Sequence, residues 1–583
     1  MDKKSLLAIA LITVVIIILP YYYNLIYDEP VDTEKKEPQV KEQVREEPKV
    51  IEKDVVTTPE QEQKKEVVKE KEEEKAEVQK GTVSEVSEIY YSDIITPLIS
   101  ATISSKGGGT FEQWHLNEYN TWEGKSAKII DYTILQNGVD IIFTTMTGER
   151  INLNNYQFEV EGSVPKVIEL GPEDTYTFKY SLKLENVVIQ KNITVYGNKY
   201  HVDLNLNVPG AQSLLLNDDY EISWVNGLPS NEINVSEDYT YSESYARMGG
   251  ELENFDISSE EPVKPVPING QTDWVAIRTK YFLAAIIPKN VQTSGTVFGG
   301  EGVKIDDSVQ RRYNTSVISD LQGQSINDLY QVYMGPLDFS VLSDYNNDLT
   351  DLIMNHGWYE RTFRPISLLI LKVFKFFKLF IPNYGIIIII FSILVKIVVY
   401  PLTKKSYKSM KEMSRVQPLL TEIREKYKGD PQRMNRETMK LYKEHGINPL
   451  GGCLPMLLQL PLLAALFIVF RSTIQLRGAS FIPGWINDLS SADTIFHLPF
   501  SLPLYGNQFN VLPILMAGTM IFQSKMTMQD PKQKAMVYIM PIFMLLIFNQ
   551  FPSGLNLYYT MFNLLTIIQQ KFTDGTGKTK KNK

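Results

Sequence analysis

The sequence holds a single cysteine, Cys453, in 583 residues, so no intramolecular disulfide can form. Cys453 lies in an apolar context without metal-ligand partners nearby and reads as a small packing residue. Histidine is almost as scarce. His115, His201, His356, His445 and His497 are scattered, and none forms a zinc-like spacing. No metal site and no cofactor is expected. Gly577-Lys578-Thr579 resembles the end of a phosphate-loop pattern, but Phe572 stands where that pattern needs its first glycine, and no strand precedes it. No NTPase is visible. Neither a Ser/His/Asp set nor a pair of carboxylates can be assigned, so the chain is not expected to be an enzyme. The net charge of −9 argues against a general nucleic-acid binder.

What is present is strongly segregated: acidic and lysine-rich near the front, apolar near the back, basic at the tip. The length exceeds one domain. Residues 1–5 carry Lys3 and Lys4, and 6–23 is an aliphatic run closed by Pro20 and Tyr21–Tyr23. A positive flank, an apolar run and an aromatic belt predict a signal anchor with a cytosolic N-terminus. A cleaved signal peptide would need small residues at its cleavage site, and L-P-Y-Y-Y-N-L has none. Residues 28–80 lack aromatics and are rich in Glu, Lys, Val, Gln and Pro, which predicts a disordered tether.

From 81 to 345 the texture becomes β. Tyr176, Phe178, Tyr180, Leu182 and Leu184 alternate with polar residues, as do Val202, Leu204, Leu206 and Val208. Gly197-Asn198, between Val187–Tyr196 and Lys199–Val208, reads as a two-residue hairpin loop. The Gly107–Gly109 run reads as a turn or bulge. The expectation is an exported antiparallel β-sandwich over 81–345.

The remainder predicts a membrane bundle. Residues 361–380 place Arg361, Arg364, Lys372, Lys375 and Lys378 on one arc and Phe/Ile/Val on the other. That pattern reads as an amphipathic helix in the membrane interface, with Pro365 in its first turn. Residues 384–403 are apolar enough to span, yet hold Lys396, about 10 Å from the cytosolic end at ~1.5 Å per residue. A snorkelling lysine and a functional one are both open on this helix alone. Residues 404–450 carry twelve Lys/Arg against six Asp/Glu and read as a cytosolic basic helical hairpin broken at Gly429-Asp430-Pro431. Further spans are expected at 453–471, 511–525, 535–551 and 555–571, followed by a basic cytosolic tail, 572–583. The fold class is thus an α-helical polytopic bundle of six spans, five forming the core, plus the exported all-β domain.

Polar residues within the spans fall on single faces: Ser392, Lys396 and Thr403; Thr519 and Gln523; Asn556, Thr560, Asn563 and Gln570. Gln459 adds an amide between Pro455 and Pro461. Interhelical hydrogen bonding explains one or two of these, at about 0.6 kcal/mol each. The five clustered spans contain no Asp or Glu, so a cation at 396 points to a hydrated cavity. The candidate site is Lys396, Ser392, Gln459, Thr519, Gln523, Thr560 and Asn563.

V-K-I-V-V-Y-P-L-T (395–403), N-P-L-G-G-C-L-P (448–455), L-Q-L-P (458–461), F-P-S-G-L-N-L-Y-Y (551–559) and T-I-I-Q-Q (566–570), in this order, resemble the YidC-type membrane protein insertases. W-V-A-I-R-T-K-Y-F (274–282) and Y-M-G-P (333–336) resemble the periplasmic domain of the Gram-negative form. Six spans with alternating basic segments put both termini in the cytosol, and the resemblance implies a β-supersandwich outside the bacterial inner membrane. It also implies a five-helix core with a hydrophilic groove open to the cytosol and lipid. The family's groove carries a characteristic arginine. The matching position here is Lys396, which keeps the charge and lacks the bidentate fork. Nascent membrane proteins, the Sec translocon, the ribosome and membrane lipids are the implied partners. A solute transporter or channel, and a membrane-anchored carbohydrate-binding protein, are the alternatives. The first predicts internal repeats, which are not seen. The second leaves five further membrane segments unexplained.

Overall fold

The structure is a computed structural model. It describes residues 88–575 except 122, 258–261, 306–307, 346, 447–453 and 528–533. The expected signal anchor, the linker, most of the basic tail and Cys453 lie outside the described residues.

Alternating residues build the all-β region between Tyr91 and Pro336. Strand Thr175–Leu184 pairs antiparallel with Val187–Tyr196, which pairs in turn with His201–Val208. Their inward residues, Phe178, Tyr180, Ile189, Ile193, Val202, Leu204 and Leu206, are buried. These strands belong to a nine-stranded sheet, and sheets of six and five strands complete the region. The nine- and six-stranded sheets meet through hydrogen bonds as well as apolar contact. Tyr220 Oη donates to Asp328 Oδ2 at 2.6 Å and lies 2.7 Å from Tyr330 Oη. The five-stranded sheet is tied in by Trp114, whose Nε1 donates to Met334 O at 2.9 Å. A buried tryptophan thus keeps its polar atom satisfied.

Two turns are informative. The Gly107–Gly109 run is a turn with φ of +63°, +69° and +97°. A Cβ on Gly109 would stand 2.3 Å from Ile193 Cδ1, so packing as well as backbone demands glycine there. The expected two-residue loop at Gly197-Asn198 is instead a four-residue connection, because Val195 pairs with Val202 and the next strand starts at His201. Tyr200 is drawn away from its own hairpin: its carbonyl accepts from Met334 N at 2.8 Å. The two-residue loop lies one connection earlier, at Glu185-Asn186, where Leu184 pairs with Val187.

The helical half begins after short helix α1 (Val235–Thr240) within the β region. Helix α2 (Gly357–Lys378) starts earlier than the sequence pattern suggests, so Pro365 sits inside the helix rather than in its first turn. The start is set by Glu360, which is buried and accepts from His356 N at 2.8 Å, satisfying a donor at the helix end. Helix α3 (Tyr384–Lys426) runs through 43 residues without a break, about 65 Å at ~1.5 Å per residue. The apolar segment and the first arm of the basic hairpin are therefore one helix, with Pro401 and Pro418 inside it. Helix α4 (Pro431–Glu444) follows, with Asp430 Oδ1 accepting from Arg433 N at 3.0 Å and proline in its first turn. Val416, Leu420 and Leu441 form the small core between α3 and α4.

Helices α5 (Leu454–Ser472), α6 (Leu512–Thr527), α7 (Lys534–Phe548) and α8 (Ser553–Gly575) complete the bundle. Among the described residues one stretch, Tyr384–Pro401, is long and apolar enough to cross a membrane by itself. Helices α6 and α7, with 16 and 15 residues, fall short of the ~20 that a full-thickness span needs. An aromatic chain holds the helices together: Phe374 of α2 packs on Phe391 of α3 at 5.3 Å, and Phe391 lies 6.2 Å from Tyr558 of α8. Ser367 Oγ donates to Ala465 O at 3.2 Å, fixing α2 against α5.

The β region and the bundle meet after α5. Arg477 Nε donates to Glu232 Oε1 at 2.7 Å, and its guanidinium lies 5.8 Å from the Tyr281 ring. Tyr281 Oη donates to Arg471 O at 2.9 Å.

Candidate functional site

Helix α3 turns one face to α8, and the polar residues of both converge there. Lys396 is 7% exposed. Its ammonium donates to Thr566 Oγ1 at 2.7 Å and lies 4.5 Å from the centre of the Phe562 ring. The hydroxyl of Thr566 can accept because its own proton goes to Phe562 O at 2.7 Å. A neutral acceptor and an aromatic face thus hold the charge in place, the latter through the ring quadrupole. Phe562 and Thr566 are neighbours because residues four apart on a helix share a face.

Two further pairs extend this seam. Asn563 Nδ2 donates to Thr519 Oγ1 at 3.3 Å, joining α8 to α6. Gln569 Nε2 donates to Thr403 Oγ1 at 3.3 Å, joining α8 to α3 about two turns beyond Lys396. The seam therefore runs from Lys396, within the apolar stretch of α3, toward the basic hairpin.

The expected residues divide as follows. Lys396, Thr519 and Asn563 meet partners on other helices. Ser392 and Thr560 are buried, but each hydroxyl donates to its own helix, to Ile388 O and Asn556 O, both at 2.8 Å. Such back-bonding satisfies a hydroxyl locally. Gln459 on α5 and Gln523 on α6 are half-buried. Asn556 Nδ2 donates to Phe548 O and Phe551 O at 3.1 and 3.3 Å, closing the end of α7. Sequence reasoning missed Thr566 and Phe562. The spacing held the signal: from Asn563 the same helix face passes through Thr566 before reaching Gln570.

The fold is thus a large all-β domain joined to a helical bundle that holds a membrane-length apolar stretch and a polar seam. Residues 92–369 match the family described as the YidC periplasmic domain, and 376–581 match that described as the 60Kd inner membrane protein. A "Membrane protein insertase YidC" of Chlorobium phaeovibrioides is 37% identical over 488 residues, covering 82% of each chain. Its counterpart in Prosthecochloris aestuarii is 39% identical over 451 residues, covering 76% of this chain and 75% of that one. The chain belongs to the YidC family. Among solved structures, an active YidC insertase with its first transmembrane domain resolved aligns with a TM-score of 0.35 and 19% identity, over 82% of this chain and 91% of that one.

Proposed function

We propose that the chain is an insertase that integrates and helps fold nascent inner-membrane proteins, alone and with the Sec translocon. The relatives at 37% and 39% identity carry the insertase name. The observation that carries the mechanism is Lys396, inside the apolar part of α3 with its ammonium on Thr566 of the neighbouring helix. In this reading Lys396 attracts acidic groups on a substrate's hydrophilic tail, and the polar seam accepts that tail partway into the bilayer. The substrate's apolar helix slides along the lipid-facing side, and each buried CH₂ contributes about 0.8 kcal/mol. A helix of ~20 residues can offset the transient passage of a few polar groups. The short helices α6 and α7 thin the bilayer locally and lower the cost of that passage.

The topology in this reading has six spans, both termini in the cytosol and the β domain in the periplasm. The basic hairpin of α3 and α4 faces the cytosol, where it receives substrate from the ribosome. The test is insertion of a small single-span substrate with an acidic tail into proteoliposomes. Wild type inserts it, Lys396→Ala inserts several-fold less, and Lys396→Arg restores it. Equal insertion by wild type and Lys396→Ala overturns the role of the charge. No insertion by wild type overturns the function.

A further inference from the structure

Between α5 and α6 the chain forms a two-stranded ribbon, Thr494–Leu502 paired with Gly506–Asn510. Ile495, Phe496, Phe500 and Leu502 of its first strand are all exposed, and the pairing shifts register between Thr494 and Phe496 and again between His497 and Leu502, so the apolar surface is not confined to one face. Residues 494–510 contain no Asp, Glu, Lys or Arg. Phe500 is 57% exposed and Leu504, at the tip, 62%, with Leu504 held at φ +65°. A lone two-stranded ribbon is at best marginal in water, and a leucine at positive φ adds strain.

The base is nevertheless firmly built. Asn549, fully buried at the end of α7, donates from Nδ2 to Tyr505 O at 2.9 Å and Gln508 O at 2.8 Å. Asn510 Nδ2 donates back to Asn549 O. Asp493 Oδ2 accepts from Val511 N at 3.0 Å and Leu512 N at 2.8 Å, capping α6 at the point where the ribbon ends. The ribbon is thus fixed to the ends of two helices whose outward sides are themselves apolar and exposed, at Ile514, Leu515, Ile539 and Ile542.

We propose that this ribbon is a lipid anchor, with Phe496, Phe500, Leu502 and Leu504 seated at the headgroup–acyl boundary of the outer leaflet. Three observations select lipid over protein: the absence of formal charge, the aromatic and aliphatic side chains exposed at the tip, and continuity with the lipid-facing sides of α6 and α7. Aromatic residues favour that boundary, where an apolar environment meets water. Pro499 and Pro503 interrupt the edge that the ribbon offers to another strand. The proposal rests on the reading of α6 and α7 as membrane spans.

The experiment uses the full chain with Cys453→Ser, carrying a single NBD-labelled cysteine at Phe500→Cys, Ser501→Cys or Ile539→Cys. Each protein is reconstituted into phosphatidylcholine vesicles containing nitroxide lipids, labelled at either a shallow or a deep acyl position. The labels at 500 and 501 are expected to be quenched at least two-fold by the shallow nitroxide and little by aqueous iodide. Iodide quenching without lipid quenching at 500, while 539 responds to nitroxide lipid, overturns the anchor and leaves the spans standing. Loss of lipid quenching at 539 as well overturns the reading of the spans themselves. Protection of 500 from both quenchers, with crosslinking between copies, assigns the ribbon to a second copy and overturns the lipid anchor.

Discussion

Arg471 Nε donates to Glu237 Oε1 at 2.8 Å, tying the end of α5 to the short helix α1 in the β domain. Lys280 Nζ donates to the same oxygen at 2.9 Å, and the Arg471 guanidinium lies 5.4 Å from the Tyr241 ring. Burial would raise the Glu237 carboxyl, but Lys280 and Arg471 overcome it and hold the group below its ordinary range. Removing Arg471 leaves one cation on a largely buried carboxylate. Arg471→Ala is expected to weaken this junction by about 2 kcal/mol, the scale of a hydrogen bond to a charged group. Arg471→Lys recovers part of it, keeping charge but losing the planar stack. Hydrogen exchange at Val235–Thr240 reads the effect, and unchanged protection in Arg471→Ala would show that the junction does not depend on this pair.

The second ion pair of the junction carries a pH dependence of the opposite kind. Burial pushes Glu232 up to about 7, against the pull of Arg477 and with Asp238 adding to the rise. The folded chain therefore holds an extra proton between the ordinary carboxylate range and about pH 7. The stability this contributes is fully present below the unfolded pKa and is lost as pH rises through about 7. A fall of about 2–3 kcal/mol is expected from pH 4.5 to 8, at ~1.4 kcal/mol per unit of pKa difference. Thermal unfolding of the nanodisc-embedded chain across that range measures it. Glu232→Gln, which stays neutral, is expected to flatten the slope; a slope unchanged by that substitution would assign it to another group.

Thr566 allows the polar seam to be probed without removing the charge. Thr566→Val keeps the shape and deletes the acceptor 2.7 Å from Lys396. The loss is expected to be about 1.5–3 kcal/mol of stability, since the partner is charged and buried. Insertion should fall less than in Lys396→Ala, because the cation remains. Thermal unfolding combined with the proteoliposome assay separates the two effects, and a variant as inactive as Lys396→Ala would make the hydroxyl itself part of the substrate site.

Much of the architecture could be read locally. Period-two alternation at Tyr176–Leu184 and Val202–Val208 is enough for paired strands, since pleating alone sorts the two faces. The face of α8 follows from the spacing of Asn556, Thr560 and Asn563. What could not be read depends on contacts distant in sequence. Glu237 and Arg471 meet across 234 residues, and no local pattern marks them. Pro365 suggested a helix start because proline fits a first turn, whereas Glu360 places that start at Gly357. Glu185 adopts φ +52° at the first position of the two-residue turn, where glycine or asparagine is usual, and Asn186 is followed by no glycine, so its hairpin lacked the Asn-Gly signal. Gly197 carried the signal for a different physical reason.

That reason is steric. A Cβ on Gly197 would stand 1.8 Å from Gly171 O and 2.7 Å from Gly171 C, both backbone atoms. The facing loop cannot easily retreat. Asp174 O accepts from Gly197 N at 3.0 Å, and Asp174 Oδ2 accepts from Gly171 N at 2.9 Å, so both sides share one anchor. Gly197→Ala is therefore expected to destabilise the β domain by about 1–3 kcal/mol, the usual range for overpacking. At roughly 2–4 °C per kcal/mol for a domain of this size, unfolding should come several degrees earlier. Gly518→Ala is the control: nothing lies within 4 Å of its Cβ position inside α6. Alanine there should be neutral or stabilising by up to ~1 kcal/mol. Melting curves of the two variants beside wild type decide the matter, and a Gly197→Ala protein as stable as Gly518→Ala would mean that the 171–174 loop yields to the new methyl group.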